Sequence, residues 1–499
     1  MLNLAFIGRW QRLTLGLWLL CFCAFWLADT EVIALEPWNE LGRMFAGFIT
    51  PDFFATEHLI DALWQTVSFT LLGISLGLVI GVPLSLVYHQ PLVAAGCAFI
   101  RAIHEIFWAL LFLQLFGLSP VTGVLALALP YGTTFARVFH DILCRAPKDT
   151  ADSLPGGTDP LSQWLYGKIA HVLPELLAYT RYRFECALRS SAVLGFVGMP
   201  TLGFHLESAF KQGNYSEGAA LLLLFIFLIG TLPYWCKRWL LPFYMLAAVY
   251  FLPPVAGLDG SLIWRFISED IWPHGLRQWQ LGDLGLGAAL VDTLGWLQGL
   301  ILSQALPGIM ATLVLALGAL GLTHLLVCFL LPLAYKPLSG RLVSGASTLS
   351  LLLMRSIPEY ILAFVFMLLL GPSMLPAMLA LALHNAGLIL FLTARSANRM
   401  PPRDEDKGGL DGFGYRVLPA IYPGMMALLF YRFEVILRET AILGMLGVAT
   451  LGFYIDSNFS EIRFAGAMVL MGITAMVNVL VDAAARRALG QGRHKTERC

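Results

Sequence analysis

The chain of 499 residues is 58% hydrophobic and 13% charged, and its 32 Lys and Arg balance 32 Asp and Glu. A mean hydropathy of +0.74 excludes an ordinary soluble fold, and the zero formal net charge gives no reason to expect a nucleic-acid partner. The sequence therefore reads as an all-α polytopic membrane protein, because a helix satisfies every backbone N–H and C=O inside hydrocarbon.

A span needs about 20 mostly apolar residues, and about twelve such stretches can be placed. The first, at 12 to 28, follows Arg9 and Arg12 like a signal peptide, but no small-residue cleavage site precedes Glu31 and it is read as a helix. Further spans are predicted at 62 to 87, 94 to 117, 121 to 143, 172 to 198 and 217 to 235. The order then repeats at 239 to 256, 302 to 334, 342 to 370, 373 to 394, 416 to 453 and 463 to 485.

Basic loop residues alternate sides along this series. Arg145, Lys148, Lys168, Lys237, Arg238, Lys336, Arg341, Arg395, Arg399, Arg403 and Lys407 share a side with both termini, whereas the opposite loops carry Glu31, Glu36, Glu40, Asp52 and Asp259. The positive-inside bias then predicts cytoplasmic termini.

The second half repeats the first. Residues 174–210 align without a gap on 423–459 at an offset of 249, and 18 of 37 positions are identical, including charged ones that shared apolarity would not reproduce. Tyr182-Arg183-Phe184-Glu185 returns as Tyr431-Arg432-Phe433-Glu434, and Arg189 as Arg438. A second block, 101–129 on 355–383 at offset 254, keeps Arg101 and Glu105 as Arg355 and Glu359. Two tandem repeats follow, 1–238 and 239–499, each with six spans and therefore parallel; paired membrane halves of this kind point to transport.

Glu185 and Arg189 are four residues apart, as are Glu434 and Arg438, so each pair shares a helix face with the acid leading. Intramembrane charges usually face a bundle interior or a watery cavity. Two readings stand: a transport path lined by Arg189 and Arg438, with Arg183 and Arg432 adding positive charge that favours an anion, or charged glue between helices. Arg101 with Glu105, and Arg355 with Glu359, have the less favourable order and are expected to snorkel near the cytoplasmic start of the third spans. The glycine-broken stretches at 194–198 and 443–447 read either as a gate or as close helix packing.

The longest polar segments on the cytoplasmic side, 144–171 and 395–415, read as docking loops or as ordinary solvated loops. No phosphate-cradling loop ending in Gly-Lys-Ser or Gly-Lys-Thr occurs, His104-Glu105 lacks the second histidine of a zinc-protease helix, and the cysteine spacings form no metal site. No catalytic residue, metal or cofactor is expected.

Val172-Leu173-Pro174, Tyr182 to Glu185, Arg189 to Gly195 and Leu202-Gly203-Phe204, together with Arg101-Ala102-Ile103, Glu105 and Trp108-Ala109-Leu110-Leu111, resemble the permease subunits of bacterial ATP-binding-cassette importers, particularly the phosphonate branch. The same features recur as Val417-Leu418-Pro419, Tyr431 to Glu434 and Arg355-Ser356-Ile357-Pro358-Glu359. The resemblance implies a type I importer permease in which two units, usually a homodimer, are fused. It further implies separate cytoplasmic ATP-binding subunits that hydrolyse ATP, a periplasmic solute-binding protein, lipid around the helices and residence in the bacterial inner membrane. The docking loop of the family carries Glu-Ala-Ala and a following glycine; here Ala151-Asp152-Ser153 and Gly157 occupy those positions, with Glu405 and Gly408 as approximate counterparts. The rival architecture is a self-sufficient secondary transporter of two parallel six-helix halves; a membrane scaffold or sensor without solute flux is the third reading.

Overall fold

The computed structural model describes residues 8–33, 36–146, 157–253, 259–400 and 409–488, and every regular element among them is helical. Helices α1 (Arg9–Leu27) and α2 (Pro37–Ile49) precede α3 (Leu59–Val87), α4 (Pro91–Ala102), α5 (Glu105–Phe116) and α6 (Pro120–Arg145). Next come α7 (Ala170–Val193), α8 (Leu202–Lys211), α9 (Tyr215–Gly230) and α10 (Leu241–Phe251). The remaining helices are α11 (His274–Leu281), α12 (Leu286–Leu300), α13 (Leu306–Ala334), α14 (Lys336–Ser356), α15 (Glu359–Leu370), α16 (Met374–Ala397), α17 (Leu418–Met445), α18 (Leu451–Ser460) and α19 (Phe464–Ala488).

Among the described residues, seven helices are long and apolar enough to cross a membrane, or nine if each of two sharply bent pairs makes one span. The protein is a polytopic all-α membrane protein. Charged α7 and the short apolar helices α9 and α10 occupy the other windows read from the sequence.

The described residues divide into two compact units, 47–271 and 8–46 with 272–488. In the first, Gly77 and Gly81 on one face of α3 let its backbone approach α6; a Cβ on Gly81 would lie 2.6 Å from the Gly132 carbonyl oxygen. Small residues hold helices together in this way in lipid, where apolar burial alone distinguishes little between helix and tail. In the other unit Leu315, Leu320, Met378, Leu381, Leu429 and Ile436 form a core between α13, α16 and α17.

The leading helix of each half packs with the rest of the other half. In the unit of 8–46 and 272–488, Thr14 of α1 meets the Tyr422 hydroxyl at 2.5 Å and the Cys21 thiol reaches the Leu317 carbonyl at 3.2 Å. In the unit of 47–271, Phe251 of α10 stacks on Trp64 of α3, with ring centroids 5.1 Å apart.

The third span of each half is not one helix. Between α4 and α5 the axis turns by 92°, and between α14 and α15 by 94°. Ile103 and His104 adopt extended backbone, and the His104 Nδ1 accepts the Ile106 N–H at 3.2 Å, so the side chain caps a new helix. In the second half Pro358 supplies the break by forcing Ile357 out of helical backbone. Arg101 therefore lies at the end of one helix and Glu105 begins the next, as do Arg355 and Glu359, so neither pair shares a helix face.

After the fifth span both halves make the same tight turn, through Gly198 at φ 87° and Gly447 at φ 99°. A Cβ on Gly203 would collide with the Ala192 carbonyl oxygen, and one on Gly452 with that of Ala441. Thr66 accepts the Leu202 N–H at 2.9 Å, and Thr312 accepts the Leu451 N–H at 3.0 Å. The glycines thus serve close packing and an unwound turn together.

Candidate translocation-path site

The six charged residues singled out in the fifth spans lie on α7 and α17. Arg183, Glu185 and Arg189 are half-buried on α7, and Glu434 and Arg438 are half-buried on α17, whereas Arg432 is only 9% exposed. The aligned arginines differ in their company. The Arg183 Nε donates to the Tyr179 hydroxyl at 2.6 Å, and its guanidinium lies 5.1 Å and 5.5 Å from the Tyr179 and Tyr182 ring centroids, a cation–π setting. Arg189 reaches the Cys186 sulfur at 3.8 Å.

Arg432 is held by polar groups instead. Its Nε donates to Asn385 Oδ1 of α16 at 2.6 Å, and its Nη2 to Glu439 Oε1 at 3.3 Å. The Asn385 amide closes the ring by donating to Glu439 Oε2, also at 3.3 Å, and to the Leu381 carbonyl at 2.8 Å. Glu439 sits seven residues beyond Arg432, two turns along the same face of α17. Beside it, His384 Nε2 lies 3.8 Å from Glu359 Oε2, while the His384 Nδ1 donates to the Ile357 carbonyl at 3.0 Å.

The corresponding place in the unit of 47–271 has other chemistry. Ser190, which aligns with Glu439, donates to Glu105 Oε1 at 2.5 Å and meets the hydroxyl of Tyr131, which aligns with Asn385, at 3.1 Å. His104 Nε2 lies 3.8 Å from Glu105 Oε2. One half thus holds hydroxyls around a glutamate, and the other holds a second carboxylate, an amide and a buried guanidinium.

Ligand-type atoms of Glu359, His384 and Glu439 lie within 4.8 Å of one another. With Arg432 included and His384 neutral, this group carries one negative charge. A divalent ion there would lie beside the buried Arg432 guanidinium, whose like charge opposes it. What the group can do is present the guanidinium and amide groups to an anion of similar size to a carboxylate, in the place Glu439 occupies.

Glu359, His384, Asn385 and Glu439 were not among the path residues read from the sequence. The signal lay in positions where the repeats differ: Ser190 against Glu439, Tyr131 against Asn385, and Pro130 against His384. Of the docking-loop residues, Gly157 adopts φ 95° just before Asp159, whose carboxyl accepts the Ser162 N–H at 3.0 Å and is held below the usual carboxylate range by hydrogen bonds from Ser162. Asp152, Glu405 and Gly408 lie outside the described residues.

The chain is 27% identical to the phosphate-import permease protein of Mycolicibacterium smegmatis over 442 residues, covering 82% of this chain and 81% of that protein. It is 28% identical to the phosphite transport system permease protein PtxC of Stutzerimonas stutzeri over 241 residues, 45% of this chain and 86% of the relative. A putative cryptic phosphonate transport system permease protein of Escherichia coli is 34% identical over 82 residues, 16% of this chain and 67% of the relative. The chain belongs to the phosphonate and phosphite ABC transport permeases. Nearly full-length similarity to one member, and similarity of about half the chain to another, fits a permease of two fused units. No family model matches the permease, and no solved structure does.

Proposed function

We propose that this permease is the membrane subunit of an ATP-driven importer in the bacterial inner membrane, and that it forms the path of a phosphonate-like or related oxyanion such as phosphite or phosphate. The observation that carries the reading is Arg432, buried in the middle of α17 with an amide on one edge and a carboxylate on the other. Its forked donors match phosphoryl oxygens. In this reading Arg183, Glu185, Arg189, Arg432, Glu434 and Arg438 line or support the path, and the two repeats, 1–238 and 239–499, each contribute one wall.

ATP hydrolysis belongs to separate cytoplasmic subunits, because the chain has no nucleotide loop. Those subunits dock on the basic side at 144–171 and 395–415, with Asp152, Gly157, Glu405 and Gly408 in the contact, and both termini lie on that side. A periplasmic protein delivers the solute, and its docking and ATP each favour one access state.

The test is purification of the full chain with its bound proteins, reconstitution, and uptake of phosphite with ATP enclosed. Arg432→Gln is expected to abolish uptake while keeping the ATPase subunits bound. Uptake driven by an ion gradient, without ATP or partner proteins, would replace this reading with a secondary transporter.

A further inference from the structure

The two carboxylate contacts in the Arg432 cluster are long. Charge-assisted hydrogen bonds to a carboxylate are normally about 2.7–2.9 Å, whereas Arg432 and Asn385 both meet Glu439 at 3.3 Å. By contrast, Arg432 meets the neutral Asn385 oxygen at 2.6 Å, so the arginine is positioned by the amide. Glu439 also has a like-charged neighbour, since its carboxylate and that of Glu359 belong to one group spanning 4.8 Å. A carboxylate that is loosely held, close to another acid and bonded to a well-anchored guanidinium is a poor structural partner and a good stand-in for an exchangeable anion. The first half makes the same point by comparison. Its aligned residue is Ser190, which turns to Glu105, so the fold of this region does not require an acid there.

We propose that Glu439 is a resident counter-ion occupying an oxyanion seat formed by Arg432 and Asn385, and that a tetrahedral oxyanion displaces it during transport. This rests on the path reading given above. The seat is available to solute only when the Glu439 carboxylate has swung away, which lowers the apparent affinity by the fraction of time the seat is open. A weak internal site suits a carrier that must release its solute. The side chain therefore sets how weakly the path holds the anion, while Arg432 sets whether it holds one at all.

The experiment is equilibrium dialysis of the purified complex, full chain with its ATPase subunits, against radiolabelled phosphate, with unlabelled phosphite and sulfate as competitors. Glu439→Ser, which installs the residue of the aligned position, and Glu439→Gln, which keeps the shape, are both expected to bind phosphate about tenfold more tightly than the unaltered complex. Arg432→Gln is expected to lose binding. If Arg432→Gln loses binding but both Glu439 variants bind no more tightly than the unaltered complex, the path reading stands and the counter-ion proposal falls. If Arg432→Gln binds as the unaltered complex does, or if no variant binds phosphate at all, the path reading fails with it. Loss of assembly with the ATPase subunits in both Glu439 variants would make the residue a structural partner and overturn the proposal.

Discussion

Asn385→Ala tests whether the Arg432 cluster is a connected network. Asn385 is fully buried and uses both ends of its amide: the oxygen accepts Arg432 Nε at 2.6 Å, and the nitrogen reaches Glu439 at 3.3 Å and Leu381 at 2.8 Å. The Leu381 carbonyl keeps its backbone partner in α16, so its loss matters little. An average interhelical hydrogen bond within a membrane is worth only about 0.6 kcal/mol, which alone would make the variant nearly silent. Here, however, truncation strips a buried guanidinium of its short 2.6 Å partner, and hydrogen bonds to charged groups are worth about 1.5–3 kcal/mol. The long Glu439 contact adds little, and the loss comes to about 3 kcal/mol at the top of that range. For a unit of about 250 residues, at roughly 2–4 °C per kcal/mol, thermal unfolding in detergent should shift down by about 8 °C. Thr393→Val is the control, because the Thr393 hydroxyl bonds to the Ile389 carbonyl of its own helix, at 2.8 Å. If the two variants melt within about 2 °C of each other, the cluster is not a network and Arg432 is stabilised by something else.

Other substitutions follow from the packing. Gly203→Ala and Gly452→Ala each drive a methyl group into a backbone carbonyl, at Ala192 and Ala441, and both should cost about 3 kcal/mol or more, read as lost yield of folded protein. A strong effect in one half only would refute the equivalence of the two turns. Thr14→Val removes a partner of the Tyr422 hydroxyl and should loosen α1 from α17, exposing the segment after α1 to protease sooner than the segment after α10. Equal acceleration at both sites would show that α1 is not anchored there. Ser190→Ala takes the 2.5 Å hydroxyl donor from Glu105 and should lower stability by about 1–2 kcal/mol, measured as a melting shift; no shift would remove the hydroxyl cluster from the account.

The scaffold was legible in the sequence because duplication preserves what the backbone demands. Gly195, Gly203 and Thr201 returned as Gly444, Gly452 and Thr450, and the structure gives both sets the same turn. The bend of the third spans was not legible from hydropathy, since a right-angled turn between two apolar helices leaves the average unchanged. Pro358 was a usable signal in the second half, and nothing as plain stands at His104. The exchange of α1 and α10 was hidden for a related reason, because one apolar helix face resembles another until shapes are compared. Agreement between the repeats drew attention to Arg189 and Arg438, whereas the buried network formed around positions that disagree. Identity between repeats reports what both halves need to fold; difference reports what a fused chain can do on one side only.

That distinction can be pressed at the bends. The first half has His104 and Pro130, and the aligned positions of the second have Pro358 and His384, so histidine and proline have traded places. Yet in each half an imidazole Nε2 ends 3.8 Å from the aligned glutamate, Glu105 or Glu359. A contact rebuilt from a different position after the residues diverged is one that both halves require, and the physical need is clear: a glutamate at the first position of a buried helix must have a polar neighbour. His384→Pro should therefore be strongly destabilising, at about 3 kcal/mol, by removing this contact and the bond to the Ile357 carbonyl. Adding Pro358→His to it recreates the first-half arrangement, and should recover at least about 1 kcal/mol as a coupling between the two sites in a double-mutant cycle. Additive losses would mean that the shared 3.8 Å approach is coincidental and that Glu359 is satisfied by other groups. Recovery would separate the cluster into two parts by function: the imidazole beside Glu359 as common architecture, and Glu439 with Arg432 and Asn385 as the one-sided addition on which anion handling depends.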